Sequence, residues 1–220
     1  MAICDVDPDA LAATAERFAI ERTYSDAHEM LDREEIDVLF SVVRARHRTD
    51  VEIQAAEHGI HVFSEKPQAE EIGLARRIDR AILRGGVLST VGFRERYRPL
   101  FQQARDHLAD KQIVHVDFRS AYRLRSPTEG RVKPGDALPD DALPDEMWMS
   151  WGVHAVDYIR FMTGLDVAKV QGVELQPEPF LLPIAQSLHG RLTNGAPVSV
   201  AFIQATDQPP RESPAFDIYY

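Results

Sequence analysis

The stretch Gly59-Ile60-His61-Val62-Phe63-Ser64-Glu65-Lys66-Pro67 closes a helix, runs as a strand and enters a turn. Gly59 is a natural residue after a helix that the sequence places over about residues 48–58, because glycine enters the left-handed region without a Cβ penalty. Residues 60–64 are predominantly apolar and read as a strand. Pro67 lacks an N–H and restricts Lys66, so the strand stops in a turn that carries the lysine at its carboxyl end. On the upstream side, residues 36–43 form a mostly apolar run, as expected of a strand covered on both faces. On the downstream side, Ile72, Ala75, Ile78 and Ile82 fall at spacings of three and four, one stripe of a helix that ends at Gly85-Gly86. Residues 87–91 return as a strand.

The same alternation extends toward the N-terminus. Met1-Ala2-Ile3-Cys4-Asp5-Val6-Asp7 reads as the last turn of a strand ending in acids. Asp7 suits an N-cap and Pro8 the first helical position, so a helix is expected over residues 8–18. Ser25 is expected to open a short helix through Asp32. The resulting βαβαβαβ order is that of a parallel sheet with crossover helices. From about Gly92 the pattern changes. Residues 99–109 read as a helix, and Val114, Val116 and Phe118 alternate as in a half-exposed strand. Residues 125–146 form a loop rich in proline and aspartate, and 147–163 a helix closed by Gly164. The remainder, with Val198, Val200 and Phe202 in alternation, reads as antiparallel strands ending without a closing element. The boundaries predict two domains, 1–92 and 93–220.

Composition narrows the function classes. A net charge of −10 disfavours nucleic acid and anionic membranes, whose nonspecific binding is driven by cationic side chains. Cys4 is the single cysteine, which excludes an intrachain disulfide and a thiolate metal cluster. The histidines show no metal-ligand spacing, so no metal is expected. With no spanning apolar run and no basic-then-apolar leader pattern, a cytoplasmic protein is the expectation.

Four sets of residues can carry chemistry. Asp5, at a strand end, can accept hydrogen bonds from ribose hydroxyls and repel a 2′-phosphate, or it can simply be a turn aspartate. Glu65, Lys66 and Pro67 lie at the carboxyl edge of a parallel sheet, where such folds bind ligands. Lys66 there can stabilise alkoxide charge, or it can be an exposed turn lysine. His154 is a candidate general base, since the ordinary pKa of a histidine lies near neutral pH, and Asp157 shares its helical face. Beside Trp148, Trp151, Ile159 and Met162 it can equally be a hydrogen-bonded core histidine. Arg44, Arg46 and Arg48 form either an anion-facing edge or a solvated basic turn.

In this order the pieces resemble the glucose–fructose oxidoreductase/inositol dehydrogenase (Gfo/Idh/MocA) family. The matching segments are Cys4-Asp5-Val6-Asp7-Pro8, Asp37-Val38-Leu39, the Gly59–Pro67 stretch, Gly92-Phe93-Arg94-Glu95-Arg96-Tyr97, and Gly152-Val153-His154-Ala155-Val156-Asp157 leading to Thr163-Gly164. The resemblance implies an α/β chain: an incomplete Rossmann parallel sheet, then an α+β domain with a partial, open, mainly antiparallel sheet that often forms an oligomer interface. It implies oxidation or reduction of a sugar, cyclitol or related polyol with NAD or NADP, NAD being favoured by Asp5. It further implies Lys66 and His154 as catalytic residues, Asp5, Glu65, Lys66 and Pro67 at the cofactor, and Arg96, Ser150 and Asp157 at the substrate. A small sugar-like substrate and a second copy of the chain are the expected partners.

The chain departs from the family pattern in specific places. The family's glycine-rich phosphate turn precedes the strand that ends at Asp5, so a βα unit of roughly 30 residues is expected to be missing from this fragment. A polypeptide beginning at Met1 is then expected to bind NAD(H) weakly and, with strand edges exposed, to associate. The family's Thr-Pro turn is Val43-Arg44 here, and its following histidine is Arg48. Ser150 stands where the family usually has an aspartate, and a hydroxyl stabilises imidazolium less than a carboxylate does. Ser150→Asp is therefore expected to move the acidic limb of the oxidation rate profile to higher pH, which a pH–rate series on the two proteins would measure. Competing expectations are a non-catalytic relative serving as a ligand-binding or subunit-interaction module, and a lyase or epimerase-like branch that recycles its cofactor.

Overall fold

The computed structural model describes residues 1–123, 148–178, 183–206 and 214–220, apart from the side chains of residues 122, 123, 148, 150, 205 and 206. The proline- and aspartate-rich segment expected as a loop over 125–146 lies outside them. The chain forms two compact units, Met1–Gly92 and Phe93–Tyr220.

The first unit alternates strand and helix: β1 (Ile3–Cys4), α1 (Pro8–Phe18), β2 (Thr23–Tyr24), α2 (Ala27–Arg33), β3 (Val38–Ser41), α3 (Val51–Glu57), β4 (His61–Ser64), α4 (Ile72–Gly85) and β5 (Ser89–Val91). Every strand pair is parallel, but the hydrogen bonding is divided into a β1-β2 ribbon and a β3-β4-β5 sheet. One apolar cluster lies against both: Met30, Leu31, Leu39, Ala55, Ile60 and Val62, with Cys4 and Tyr24 at its edge. The α1 cap forms as the sequence predicts, the Asp7 carboxylate accepting from the N–H groups of Asp9 and Ala10.

Several local expectations are corrected. The cap of α2 is Asp26 rather than Ser25, because the Asp26 carboxylate accepts from the Glu29 N–H. The backbone hydrogen bond from Glu29 is the main cause holding that carboxyl below its ordinary range. The helix expected from residue 48 starts at Val51, since a 3₁₀ turn over Ala45–His47 leaves Arg48 extended. The strand expected over 36–43 is shorter and is not covered on both faces. Leu39 and Ser41 are buried while Phe40 and Val42 are 66% and 70% exposed. Of the stripe on α4, Ile78 is buried but Ile72, at the solvent end of the first turn, is exposed.

Gly59 and Gly86 take positive φ at the ends of α3 and α4, where only glycine avoids strain. Gly85 is required for a different reason. A Cβ built there would lie 2.3 Å from the Ala56 carbonyl oxygen, so α3 and α4 meet through a missing side chain. Gly85→Ala is expected to destabilise this unit by about 1–3 kcal/mol through overpacking, measurable by denaturant unfolding.

The second unit contains a 3₁₀ turn (Arg94–Tyr97), α5 (Pro99–Leu108), β6 (His115–Arg123), a π turn (Trp148–Gly152) running into α6 (Val153–Thr163), β7 (Val167–Leu175), β8 (Ala185–Leu192), β9 (Pro197–Thr206) and β10 (Ala215–Tyr219). Its sheet has the order β10-β6-β9-β8-β7. All neighbours are antiparallel except β6 and β9, which run parallel, so the sheet is mainly antiparallel as expected. The last residues differ from expectation, since β10 closes the β6 edge in register from Ala215 opposite Arg119 to Tyr219 opposite His115. Val116, Phe118, Leu192, Val198, Val200 and Phe202 pack with Ala155, Ile159 and Met162 of α6 and Leu108 of α5 into one core. The segment 148–163 is thus helical as predicted, but its first turn is π-wound.

Candidate active site

In the first unit Glu65, Lys66 and Pro67 follow the carboxyl end of β4, beside that of β3. Parallel pairing sets Ser41 opposite Ser64, so both strands end level and their following turns are neighbours. The Glu65 N–H continues the ladder to the Ser41 carbonyl at 2.8 Å, and the Gly92 N–H bonds the Ser64 carbonyl at 2.8 Å. These bonds fix the entry to the turn that carries Lys66. The Glu65 carboxylate folds back to accept from the Lys66 N–H, and the Lys66–Pro67 peptide is cis. The turn is therefore shaped by its own backbone as well as by the strand ends.

Asp5 sits exposed at the carboxyl end of β1, with its N–H bonded to the Tyr24 carbonyl. One carboxylate oxygen accepts from the Asp7 N–H at 2.9 Å, the contact of a turn aspartate. Of the basic run, Arg44 is exposed but Arg48 is buried. The solvated-turn reading fails for Arg48: its guanidinium donates to the carbonyls of Val43 and Gln68. Glu52, one turn further on in α3, is likewise buried and accepts from Ser41 Oγ at 2.6 Å. Sequence reasoning missed Glu52. An acid four residues after Arg48 was the available signal.

In the second unit His154 lies in the first turn of α6 among aromatic rings. Phe93 meets it edge-on at 5.9 Å between centroids, Trp151 lies at 5.8 Å and Tyr158 at 5.9 Å. Tyr158 in turn packs on Phe101 and Phe118, which ties the histidine to the core. Trp151 is 44% exposed, so the cluster reaches the surface on that side. Arg96 and Asp157, both expected at the substrate, face each other. Arg96 Nε lies 2.9 and 3.1 Å from the two Asp157 oxygens, and Asp157 is buried. The Arg96 guanidinium also stacks over Phe93 and Phe161 at 5.7 and 5.6 Å. The pair therefore locks the 94–97 turn, and with it the Phe93 ring, against the helix that bears His154. The side chain of Ser150 lies outside the described residues.

A nicotinamide dinucleotide needs an acceptor for its ribose hydroxyls and a cradle for its pyrophosphate. An exposed strand-end carboxylate at Asp5 fits a ribose diol, and the Glu65–Pro67 turn fits the reactive end. No Gly-x-Gly-x-x-Gly occurs within residues 1–220. Among the described residues no group of three or more His, Cys, Asp or Glu could hold a metal ion. No helix among them is long and apolar enough to cross a membrane.

Residues 1–93 match the family model described as "Oxidoreductase family, NAD-binding Rossmann fold" (GFO_IDH_MocA). Among curated relatives, the D-apiose dehydrogenase of Paraburkholderia graminis is 32% identical over 77% of this chain and 44% of its own length. The scyllo-inositol 2-dehydrogenase (NAD(+)) of Bacillus subtilis is 25% identical over 77% of this chain and 48% of its own. The chain spans about half the length of the curated relatives it matches. Among solved structures, the oxidoreductase domain protein from Kribbella flavida superposes with a TM-score of 0.79 at 24% identity, covering 99% of this chain and 60% of that one. The scyllo-inositol dehydrogenase from Lactobacillus casei with bound NAD(H) and scyllo-inositol gives 0.76 at 17% identity, covering 99% and 64%. At these identities the structural matches establish the fold.

Proposed function

From the premise that this chain belongs to the Gfo/Idh/MocA oxidoreductase family, we propose that it takes part in oxidising or reducing a CH–OH group of a sugar, cyclitol or related polyol with NAD(H). The observation that carries this reading is the placement of Lys66. It stands in a turn fixed by two strand ends at the carboxyl edge of a parallel sheet. That edge is where open parallel sheets bind ligands.

Oxidising an alcohol requires removal of the hydroxyl proton and of a hydride. Bound nicotinamide supplies the hydride acceptor. The chain's own residues supply the rest. His154 takes the proton, and the aromatic rings around it limit its orientations. The Lys66 ammonium stabilises the developing alkoxide, an interaction stronger in the transition state than in the ground state. Asp5 holds the adenosine ribose and favours NAD over NADP, because a carboxylate repels a 2′-phosphate. Arg96 and Asp157 position Phe93 and the helix of His154 rather than gripping substrate. A cytoplasmic location is part of this reading. So is self-association through the open sheet, where Val173 and Leu175 of β7 are 74% and 57% exposed.

The test is reduction of NAD by the full-length protein across a panel of aldoses, inositols and sugar acids. NADH formation with at least one polyol supports the proposal. Retention of a polyol ligand without any redox turnover would move the assignment to a non-catalytic binding module.

A further inference from the structure

The loop after β3 and the turn after β4 are joined by one guanidinium held in the interior of the first unit. Arg48 Nε donates to the Val43 carbonyl at 2.9 Å and Nη1 to the Gln68 carbonyl at 3.1 Å. Its side chain is 1% exposed, as is that of Glu52, whose carboxylate lies 3.8 Å from Nε. Glu52 is held in turn by Ser41 Oγ, at the last residue of β3. A chain of hydrogen bonds and one ion pair therefore runs Ser41–Glu52–Arg48–Gln68, from one strand end to the residue two beyond Lys66.

Turns on a sheet edge are ordinarily held by backbone hydrogen bonds and remain solvated, whereas a buried ion pair carries a desolvation cost. Burial indeed pushes the Arg48 guanidinium below its ordinary range, with Glu52 and then Glu65 opposing. One use of an arrangement with that cost is to specify geometry. The fork of arginine matches the task, because separate N–H groups reach carbonyls of two different loops, which a single ammonium cannot do.

We propose that Arg48 is a positioning residue for Lys66, fixing the 65–68 turn to the end of β3, and that Glu52 is the buried counter-charge that keeps this clamp in place. The inference rests on the assignment of Lys66 as the active-site cation. It adds residues that touch neither substrate nor cofactor in that assignment.

The test compares wild type, Arg48→Lys, and the double variant Arg48→Met/Glu52→Leu in the full-length protein. Arg48→Lys keeps a charge opposite Glu52 but loses the fork. The double variant removes both buried charges together and so leaves neither one unpaired. Both are expected to lower kcat by about 10–100-fold, as misplacement of a reacting group does, with the KM for polyol nearly unchanged. A double variant that melts like wild type and turns over like wild type would overturn the clamp. If wild type oxidises no polyol, the functional reading fails by itself and the clamp is judged by amide hydrogen exchange. Exchange over residues 65–69 is then expected to be about tenfold faster in the double variant, with β8 of the second unit unchanged. Unaltered exchange over 65–69 would overturn it.

Discussion

Replacing Lys66 by Met or His154 by Ala is expected to lower turnover of the responsive polyol by about 10²–10⁴-fold, the range for loss of an acid–base participant. The two losses should differ in kind. Lys66→Met removes a charge that acts on the developing alkoxide, so kcat and kcat/KM should fall together while KM changes little. His154→Ala removes the proton acceptor, so the acidic limb of the rate profile should flatten as well as fall. Folding must be checked beside activity, since His154 packs between Phe93, Trp151 and Tyr158 and its removal opens space in that cluster. Unfolding curves supply that control. Turnover by His154→Ala within a few-fold of wild type would return the residue to the role of a core histidine and require another base.

Arg96→Met is expected to cost about 3 kcal/mol of stability, toward the lower end of the range for breaking a buried ion pair. The reason is asymmetry in burial. The Asp157 side chain is 3% exposed, so without Arg96 it becomes an unpaired carboxylate in the interior. The Arg96 side chain is 40% exposed, so after Asp157→Asn the guanidinium can turn toward water, and that variant should lose less. Denaturant unfolding of both variants checks the order, and equal losses would count against the account. Arg96→Met also releases the Phe93 ring from its guanidinium neighbour. Activity should then fall beyond what the change in folded fraction explains.

The order of the fold was legible because it is written in short local signals. Gly59, Gly85-Gly86 and Gly164 mark where helices stop. Asp7-Pro8 starts one, and Lys66-Pro67 ends a strand; each depends on backbone geometry that nearest neighbours in sequence determine. Such signals identified α1, α4 and α5 nearly to the residue and placed Lys66 in a turn and His154 on a helix. They could not show which strands pair. The division of the first unit into a ribbon and a sheet, and the parallel partnership of β6 with β9, arise from hydrogen bonds between segments far apart in sequence. Side-chain partners were equally hidden. Arg96 and Asp157 are 61 residues apart, and each reads alone as a polar group available to a ligand. Arg48 reads as part of an exposed basic turn until the Gln68 carbonyl, 20 residues on, is brought beside it. The sequence by itself determined the order of helices and strands, the ends of those marked by glycine, proline or a capping acid, and which residue types can do chemistry. Only the tertiary structure decided which charges lie in water and which are buried against one another, because burial depends on every segment that packs around a side chain.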